Sequence, residues 1–191
     1  LRRTGRRSLW ASVADRVQGM TEAPAASAVD LVAAALAQLQ ATDPERMHQV
    51  RLGAIIPARK VLGLARAPRI SPVASAWHLG VLLLNEGGLW ATNEIVRAHE
   101  DLPRGFTSEN QRRRAELAAA AHRGGFAEGE EVHVGWESVD PTALERGEEA
   151  DPLVMIQGAP AVRWSASGSP RPLAGYLNER IEFIVHPPER A

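Results

Sequence analysis

One short segment of the chain concentrates four basic side chains, Arg59, Lys60, Arg66 and Arg69. Guanidinium groups present paired donors that match carboxylate and phosphate oxygens. Three prolines bracket the segment, at positions 57, 68 and 72, so we expect an irregular loop. Loops that a rigid scaffold holds are common places for binding groups. The sequence therefore predicts that residues 59–69 bind a small anionic ligand or the acidic surface of a partner.

The charges are distributed unevenly, although the net charge is only −1. Residues 46–85 include six Arg or Lys and no Asp or Glu, whereas residues 127–151 include nine acids and one base, Arg146. Two such blocks can be matching halves of a contact within one chain or between subunits. Two alternatives to an external anion therefore stay open: the basic segment is simply solvated, or it pairs with the acidic segment.

The six histidines offer a second kind of chemistry. No two have the i, i+4 spacing of a zinc-binding helix, and His133 and Glu137 would lie about 13 Å apart on a strand. We expect His133, Glu137 and the cluster at His99 to be surface residues, and we predict no metal site and no cofactor. General base catalysis remains possible for His78, inside an apolar stretch, and for His99, which begins a small acidic cluster. The alternative function is a metal-independent enzyme acting on a small anionic metabolite, with His78 or His99 as general base.

The composition argues against several other classes of protein. The chain has 191 residues and no cysteine, so disulfides and thiolate chemistry are excluded. It contains no Gly-x-Ser-x-Gly motif, no glycine-rich phosphate loop and no apolar run approaching the roughly 20 residues that span a bilayer. A near-zero net charge without a zinc finger or helix-turn-helix pattern argues against nucleic acid as a partner. We expect a non-catalytic cytoplasmic protein without a membrane span.

The apolar stretch at 77–98 must position these residues, and it is predicted to form one long β-hairpin with its turn at 85–88. Side chains alternate between the two faces of a strand, so His78 would share a face with Asn93 and Ile95. Large apolar residues fall on both faces, whereas a half-exposed hairpin would have one polar face. We therefore expect the hairpin to be covered on both sides by other layers or by a second subunit, and we predict a homodimer.

Helices and strands alternate along the rest of the chain. The predicted helices span residues 27–42, 108–123 and 172–186, and the further predicted strands span residues 49–56, 130–138, 153–156 and 161–164. Ser27 and Ser108 begin capping patterns at two of these helices. The fold class predicted is α+β, with a mainly antiparallel sheet around the central hairpin and the three helices packed on it. Residues 20–191 are expected to form a single domain, preceded by a loosely attached basic segment at 1–19.

Overall fold

A computed structural model of the chain describes residues 26–42, 49–61, 64–100 and 108–187, with the backbone alone for 59–61, 64 and 65. The expected N-terminal segment, 1–19, lies outside these ranges. The mixed content of helices and strands confirms the α+β class. The helices are α1 (Ala28–Ala41), α2 (Glu109–Arg123), α3 (Pro141–Glu145) and α4 (Leu173–Val185). The strands are β1 (Val50–Ile56), β2 (Arg59–Val61), β3 (Leu64–Arg66), β4 (Arg69–Leu79), β5 (Leu82–Asn85), β6 (Gly88–Ala91), β7 (Glu94–Arg97), β8 (Glu131–Val134), β9 (Glu137–Val139), β10 (Leu153–Ile156), β11 (Ala159–Val162) and β12 (Arg171–Pro172).

The three predicted helices are confirmed as α1, α2 and α4, each with ends within one residue of the expected positions. The first backbone N–H groups of a helix have no partner inside the helix. At α1 the Ser27 hydroxyl accepts a hydrogen bond from the Asp30 N–H at 3.1 Å, and at α2 the Ser108 hydroxyl accepts one from the Gln111 N–H at 3.2 Å. The capping serines therefore fix where these helices begin.

The main sheet has seven strands in the order β7-β8-β1-β4-β5-β6-β9. Its neighbouring strands are antiparallel except for β1 and β8, which are parallel. Only two residues separate β6 from β7, and only two separate β8 from β9. The pairing of β6 with β9 and of β7 with β8 follows one continuous register, from Leu89 opposite Val139 to Arg97 opposite Glu131. Both edges of the sheet thus belong to the same pair of bent strands, so the sheet closes into a barrel.

The single long hairpin predicted at 77–98 is wrong in its extent. Its turn is confirmed, because Asn85 pairs with Gly88 across a two-residue turn. A second tight turn, at Gly80 and Val81, reverses the chain earlier and pairs β4 with β5. The expected first strand is therefore the end of β4 plus all of β5.

A tyrosine from the last helix holds this unexpected turn. Gly80 adopts a left-handed conformation with φ of 72°, which glycine tolerates because it has no Cβ. The Tyr176 hydroxyl accepts a hydrogen bond from the Val81 N–H at 2.9 Å and donates one to the Leu79 carbonyl at 2.8 Å. The turn is thus bound to α4, whose residues are almost one hundred positions away in the sequence.

Two other predicted elements differ from the structure. The expected strand at 130–138 is divided into β8 and β9, because Gly135 has a positive φ of 66° and bends the chain there. The Asn93 side-chain amide spans the bend by donating to the Gly135 carbonyl at 3.1 Å. The segment 59–69, expected to be irregular apart from a short strand at 61–65, forms the paired strands β2 and β3 over 59–61 and 64–66 and enters β4.

Apolar side chains fill the barrel and also cover its outside. The inner cluster contains the buried residues Leu52, Ala76 and Leu83. Outward-facing residues of β4 and β5, such as Leu79 and Leu84, pack with residues of α1, α3 and α4, while α2 covers the other side of the barrel. Both faces are therefore covered at β4 and β5, as predicted, whereas Ile95 in β7 is 44% exposed. Helices of the same chain provide the covering layer, so a second subunit is not needed for it.

Candidate functional site

The predicted basic segment forms a narrow arm, which we define as residues 57–69. The pairing of β1 with β4 ends at Ile56 opposite Arg69, and the pairing of β2 with β3 continues the same register with Arg59 opposite Arg66. Pro57 lies between the two ladders on one strand, and a proline donates no backbone hydrogen bond. The arm is therefore an extension of the β1–β4 hairpin, and its root belongs to the barrel.

The arm presents positive charge to solvent. Arg66 and Arg69 are both exposed, and neither forms an ion pair with any residue that the structure describes. Arg59 and Lys60 lie in β2, where only the backbone is described. The structure therefore brings all four predicted binding residues into one arm and leaves the two described guanidinium groups open to a partner.

The end of α2 holds the root of the arm. The Arg123 guanidinium donates two hydrogen bonds to the Pro68 carbonyl, at 3.1 Å from Nε and 2.9 Å from Nη2. Directly after the helix, a Cβ placed on Gly124 would lie 1.5 Å from the Ile70 carbonyl oxygen, far inside van der Waals contact. Only glycine therefore allows the end of α2 to pack on the first residues of β4.

The acidic segment, 127–151, finds most of its counter-charges away from the arm. Its ion pairs and carboxylate–histidine contacts are Glu130–Arg51 (3.6 Å), Glu131–Arg97 (3.5 Å), Glu131–His133 (3.7 Å), Asp140–Arg146 (3.4 Å), Glu148–Arg146 (2.8 Å), Asp151–Arg163 (2.8 Å) and Glu128–His99. Of the cations in these pairs, only Arg51 belongs to the basic block at residues 46–85. Among the described residues, the acidic segment of the same chain therefore does not neutralise Arg66 or Arg69.

A cleft of about 540 Å³ lies between the end of the acidic segment and β10. Three acids and one base line it, namely Glu148, Glu149, Asp151 and Arg163. A hydrogen bond from Arg146 holds the pKa of the Glu148 carboxyl below its usual value, so this carboxyl stays ionised. Glu149 is exposed and has no ion pair within the described ranges. The cleft therefore has a net negative lining.

Strand β10, on one side of this cleft, is the edge of a small sheet ordered β10-β11-β12. Met155 lies opposite Pro160 in β11, and proline has no N–H to exchange. In an antiparallel ladder such a pair is a non-hydrogen-bonded one, so the N–H and C=O of Met155 point away from β11. The side chains of Met155 and Ile156 are 43% and 45% exposed. The acidic cleft is thus bordered by a strand edge that is open at Met155, whereas the Leu153 N–H on this edge already donates to the Ala150 carbonyl at 2.8 Å.

The structure places His78 on the inner face of the barrel, not at an exposed cleft. Its Nε2 lies 2.7 Å from the Gly80 carbonyl, and its ring centroid lies 4.7 Å from that of His133. Ile95 lies opposite His133 in the adjacent strand, so it shares this inner face as the sequence predicted. The close neighbour of His78 is nevertheless His133, which alternation within 77–98 did not indicate. The described contacts of His78 include neither a carboxylate nor the arm.

His133 is the residue of this region that sequence reasoning missed. It was expected at the surface, but it is 1% exposed, and neither ring nitrogen has a hydrogen-bond partner among the described residues. Burial, reinforced by the adjacent His78, lowers the pKa of His133 to about 4. The only available signal was its position between Val132 and Val134 in a strand. A histidine there faces the opposite side from two valines, and in a closed barrel that side is the interior.

The other predicted histidine, His99, remains at the surface. It follows β7 and forms an ion pair through Nδ1 with Glu128, with both side chains about half exposed. His99 and His78 therefore have different surroundings, one in solvent and one inside the barrel. The structure does not bring either histidine together with Arg66 or Arg69 through any described contact.

The described ranges contain no group of three His, Asp or Glu side chains arranged to hold a metal ion. No helix within them has the length and apolar character needed to cross a membrane. Comparison with protein-family models, curated proteins and solved structures finds no match to this chain. The function must therefore be inferred from the geometry of the candidate site, above all from that of the basic arm.

Proposed function

We propose that this chain is a non-catalytic binding domain whose basic arm, residues 57–69, binds an acidic protein surface. The observation that carries this proposal is the environment of Arg66 and Arg69. Both are exposed, and neither has a described counter-charge, although most acids of the acidic segment are already paired elsewhere. Exposed arginine groups on a β-ribbon suit the recognition of carboxylates. A cytoplasmic location remains a prediction.

The enzyme alternative has less support from the geometry. A general base must reach the proton that it removes, directly or through one water. His78 directs Nε2 to the Gly80 carbonyl and packs on His133 inside the barrel, and His99 is occupied by Glu128 at the surface. Neither arrangement supplies a cleft in which a histidine and the arm could meet one substrate.

We further propose that the chain forms a homodimer in which the arm of each copy enters the acidic cleft of the other. The cleft provides the opposite charge mainly through Glu149, because Glu148 and Asp151 already pair with Arg146 and Arg163. The open edge of β10 can pair with an extended ribbon, as sheet edges do in β-strand addition. A reciprocal contact of this kind closes as a two-fold dimer and leaves no unpaired arm.

Charge reversal in the arm tests the binding proposal. The probe is a fluorescein-labelled peptide of ten glutamates, followed by fluorescence anisotropy at protein concentrations at which the wild-type chain is monomeric and its arm is free. We expect the double variant Arg66→Glu/Arg69→Glu to bind the peptide about tenfold more weakly, since each reversal replaces an attraction by a repulsion worth up to about 1 kcal/mol. The matched control is Arg112→Glu/Arg114→Glu, an equal change of net charge on the exposed face of α2. We expect the control to retain binding within about twofold, because it leaves the arm intact.

Equal loss of binding in both double variants would show that only the net charge matters. Unchanged binding in the arm variant would contradict the proposal directly. Circular dichroism confirms that each variant is folded before its affinity is interpreted.

A charge swap between subunits tests the dimer. We expect sedimentation velocity to show that Arg66→Glu/Arg69→Glu and Glu149→Arg/Asp151→Arg are each monomeric. An equimolar mixture of the two variants should again form dimers, because reversed arms then face reversed clefts. Reversal of Glu109 and Glu116, two exposed acids of α2, is the control and should leave the dimer intact. A wild-type monomer, or a mixture that stays monomeric, would reject the dimer and leave the peptide result to decide the binding proposal.

A further inference from the structure

The inner face of the barrel contains a pair of histidines that the proposed binding function does not use. The rings of His78 and His133 meet edge-on with centroids 4.7 Å apart, and His133 is 1% exposed. Neither nitrogen of His133 has a hydrogen-bond partner among the described residues. A buried imidazole without partners is costly even when neutral, and a buried charge without partners costs far more. This pair is therefore sensitive to protonation.

The surroundings of His133 offer little compensation for a positive charge. Across the barrel it faces His78, which would repel the charge. In the neighbouring strands its opposite residues are apolar, Leu52 in β1 and Ile95 in β7. The described acid beside it is Glu131 on the same strand, 3.7 Å from Nε2, and it is shared with Arg97 at 3.5 Å. Glu131 favours the charged ring, but burial and His78 outweigh it, so the pKa of His133 is still lowered. A proton on His133 would be stable only if the ring gained access to water.

His133 also lies in the one parallel pairing of the main sheet, that of β1 with β8, which we call the seam. The parallel pairing of β1 with β8 covers only three residue pairs, and His133 opposite Leu52 is the middle one. The adjacent β1–β4 pairing covers seven pairs. Parallel pairing is slightly less stable per residue than antiparallel pairing. The seam is as short as the antiparallel pairings β4–β5 and β6–β9, and its parallel geometry makes it the pairing expected to open first.

We propose that the β1–β8 seam is an acid-sensitive gate of the barrel, which opens when His133 takes up a proton. In the open seam the imidazolium reaches water, and its separation from His78 relieves the repulsion between the two rings. The inference does not depend on what the arm binds.

The direction of the pH effect follows from linkage between protonation and opening. In the closed barrel the pKa of His133 is about 4, whereas an exposed histidine has its ordinary value of 6.5. The open state thus binds the proton more tightly, so closure is favoured above pH 6.5 and is progressively lost as the pH falls toward 4. Between pH 7.5 and 5.5 the opening equilibrium constant should rise about tenfold.

Amide hydrogen exchange measured by NMR, with rates corrected for the intrinsic pH dependence, tests the gate. In the wild-type chain we expect protection of the seam amides, within 51–53 and 132–134, to fall about tenfold from pH 7.5 to 5.5. Amides of β10, at 153–156, serve as the internal reference and should keep their protection. In His133→Leu the seam should lose its pH dependence, whereas His99→Gln, a change at the surface, should behave like the wild type.

An equal fall in protection at 153–156 would show global loosening and overturn the proposal. A fall at the seam that persists in His133→Leu would also overturn it, because another group would then be responsible. His133→Gln provides a second uncharged variant with a polar side chain if the leucine variant does not fold. If neither variant folds, the wild-type chain is the test: a fall confined to the seam supports the gate, and an unchanged seam or an equal fall at 153–156 overturns it.

Discussion

Replacing Gly124 with alanine is expected to lower the free energy of unfolding by on the order of 4 kcal/mol. The backbone of Gly124 has an ordinary φ of −85°, so alanine would cause no conformational strain there. The penalty is steric, because the new Cβ would lie 1.5 Å from the Ile70 carbonyl oxygen. A backbone atom of a central strand cannot rotate away as a side chain can. The end of α2 would therefore have to separate from β4, which would also release the root of the arm.

Urea denaturation followed by circular dichroism measures this effect, with Gly175→Ala as the matched control. Gly175 lies inside α4, and a Cβ added there meets no atom within 4 Å. Alanine in a helix interior is favoured over glycine, so the control should gain about 0.5–1 kcal/mol. If the two alanine variants had similar midpoints, the close contact between Gly124 and Ile70 would not exist in solution.

The sequence predicted the elements that depend on local chemistry. The serine caps of α1 and α2 act on residues three positions away, and the turn after Asn85 depends on adjacent glycines, so both could be read from short windows. The alternation of apolar residues in β1 was equally local. These features decide the α+β class, and for that reason the class was predicted correctly.

The elements that were missed depend on contacts from distant parts of the chain. The turn at Gly80 interrupts an otherwise regular apolar run, and Tyr176 stabilises it from α4. The bend at Gly135 makes sense only beside Asn93 in the adjacent strand. Barrel closure needs both the bend between β6 and β7 and the bend between β8 and β9, because the edge strands β7 and β9 continue β6 and β8 from the opposite sides of the sheet. Hydrophobic periodicity in one segment contains none of this information.

The candidate site likewise combines features that depend on local sequence with features that depend on distant contacts. The charge of the arm is a property of composition within a dozen residues, and the sequence identified its four basic residues. Whether those residues are paired is a property of the fold, and only the structure shows that Arg66 and Arg69 lack a described counter-charge. His133 could not be identified from its spacing, because its importance arises from His78, which meets it across the barrel. Residues that act through a partner on another strand have no local signal.

Replacing Tyr176, the only tyrosine of the chain, with phenylalanine is expected to cost about 2–3 kcal/mol. The ring, its packing and its contact with Arg180, whose guanidinium carbon lies 5.2 Å from the ring centroid, would be kept. The loss would come from the hydroxyl, because the Val81 N–H and the Leu79 carbonyl would both lose their partner. An unpaired polar group in a buried site costs more than a hydrogen bond normally contributes.

The control for Tyr176→Phe is Thr42→Val, which also deletes a hydroxyl bonded to a backbone carbonyl, that of Gln38 at 2.9 Å, but at an exposed position. We expect this control to change stability by less than about 0.5 kcal/mol, because water replaces the lost partner. Exchange of the Val81 amide provides the local measurement and should accelerate in Tyr176→Phe beyond the global change. Unchanged stability together with an equally protected Val81 amide would mean that the turn at Gly80 holds without α4. The division of the expected hairpin into β4 and β5 would then have a purely local cause.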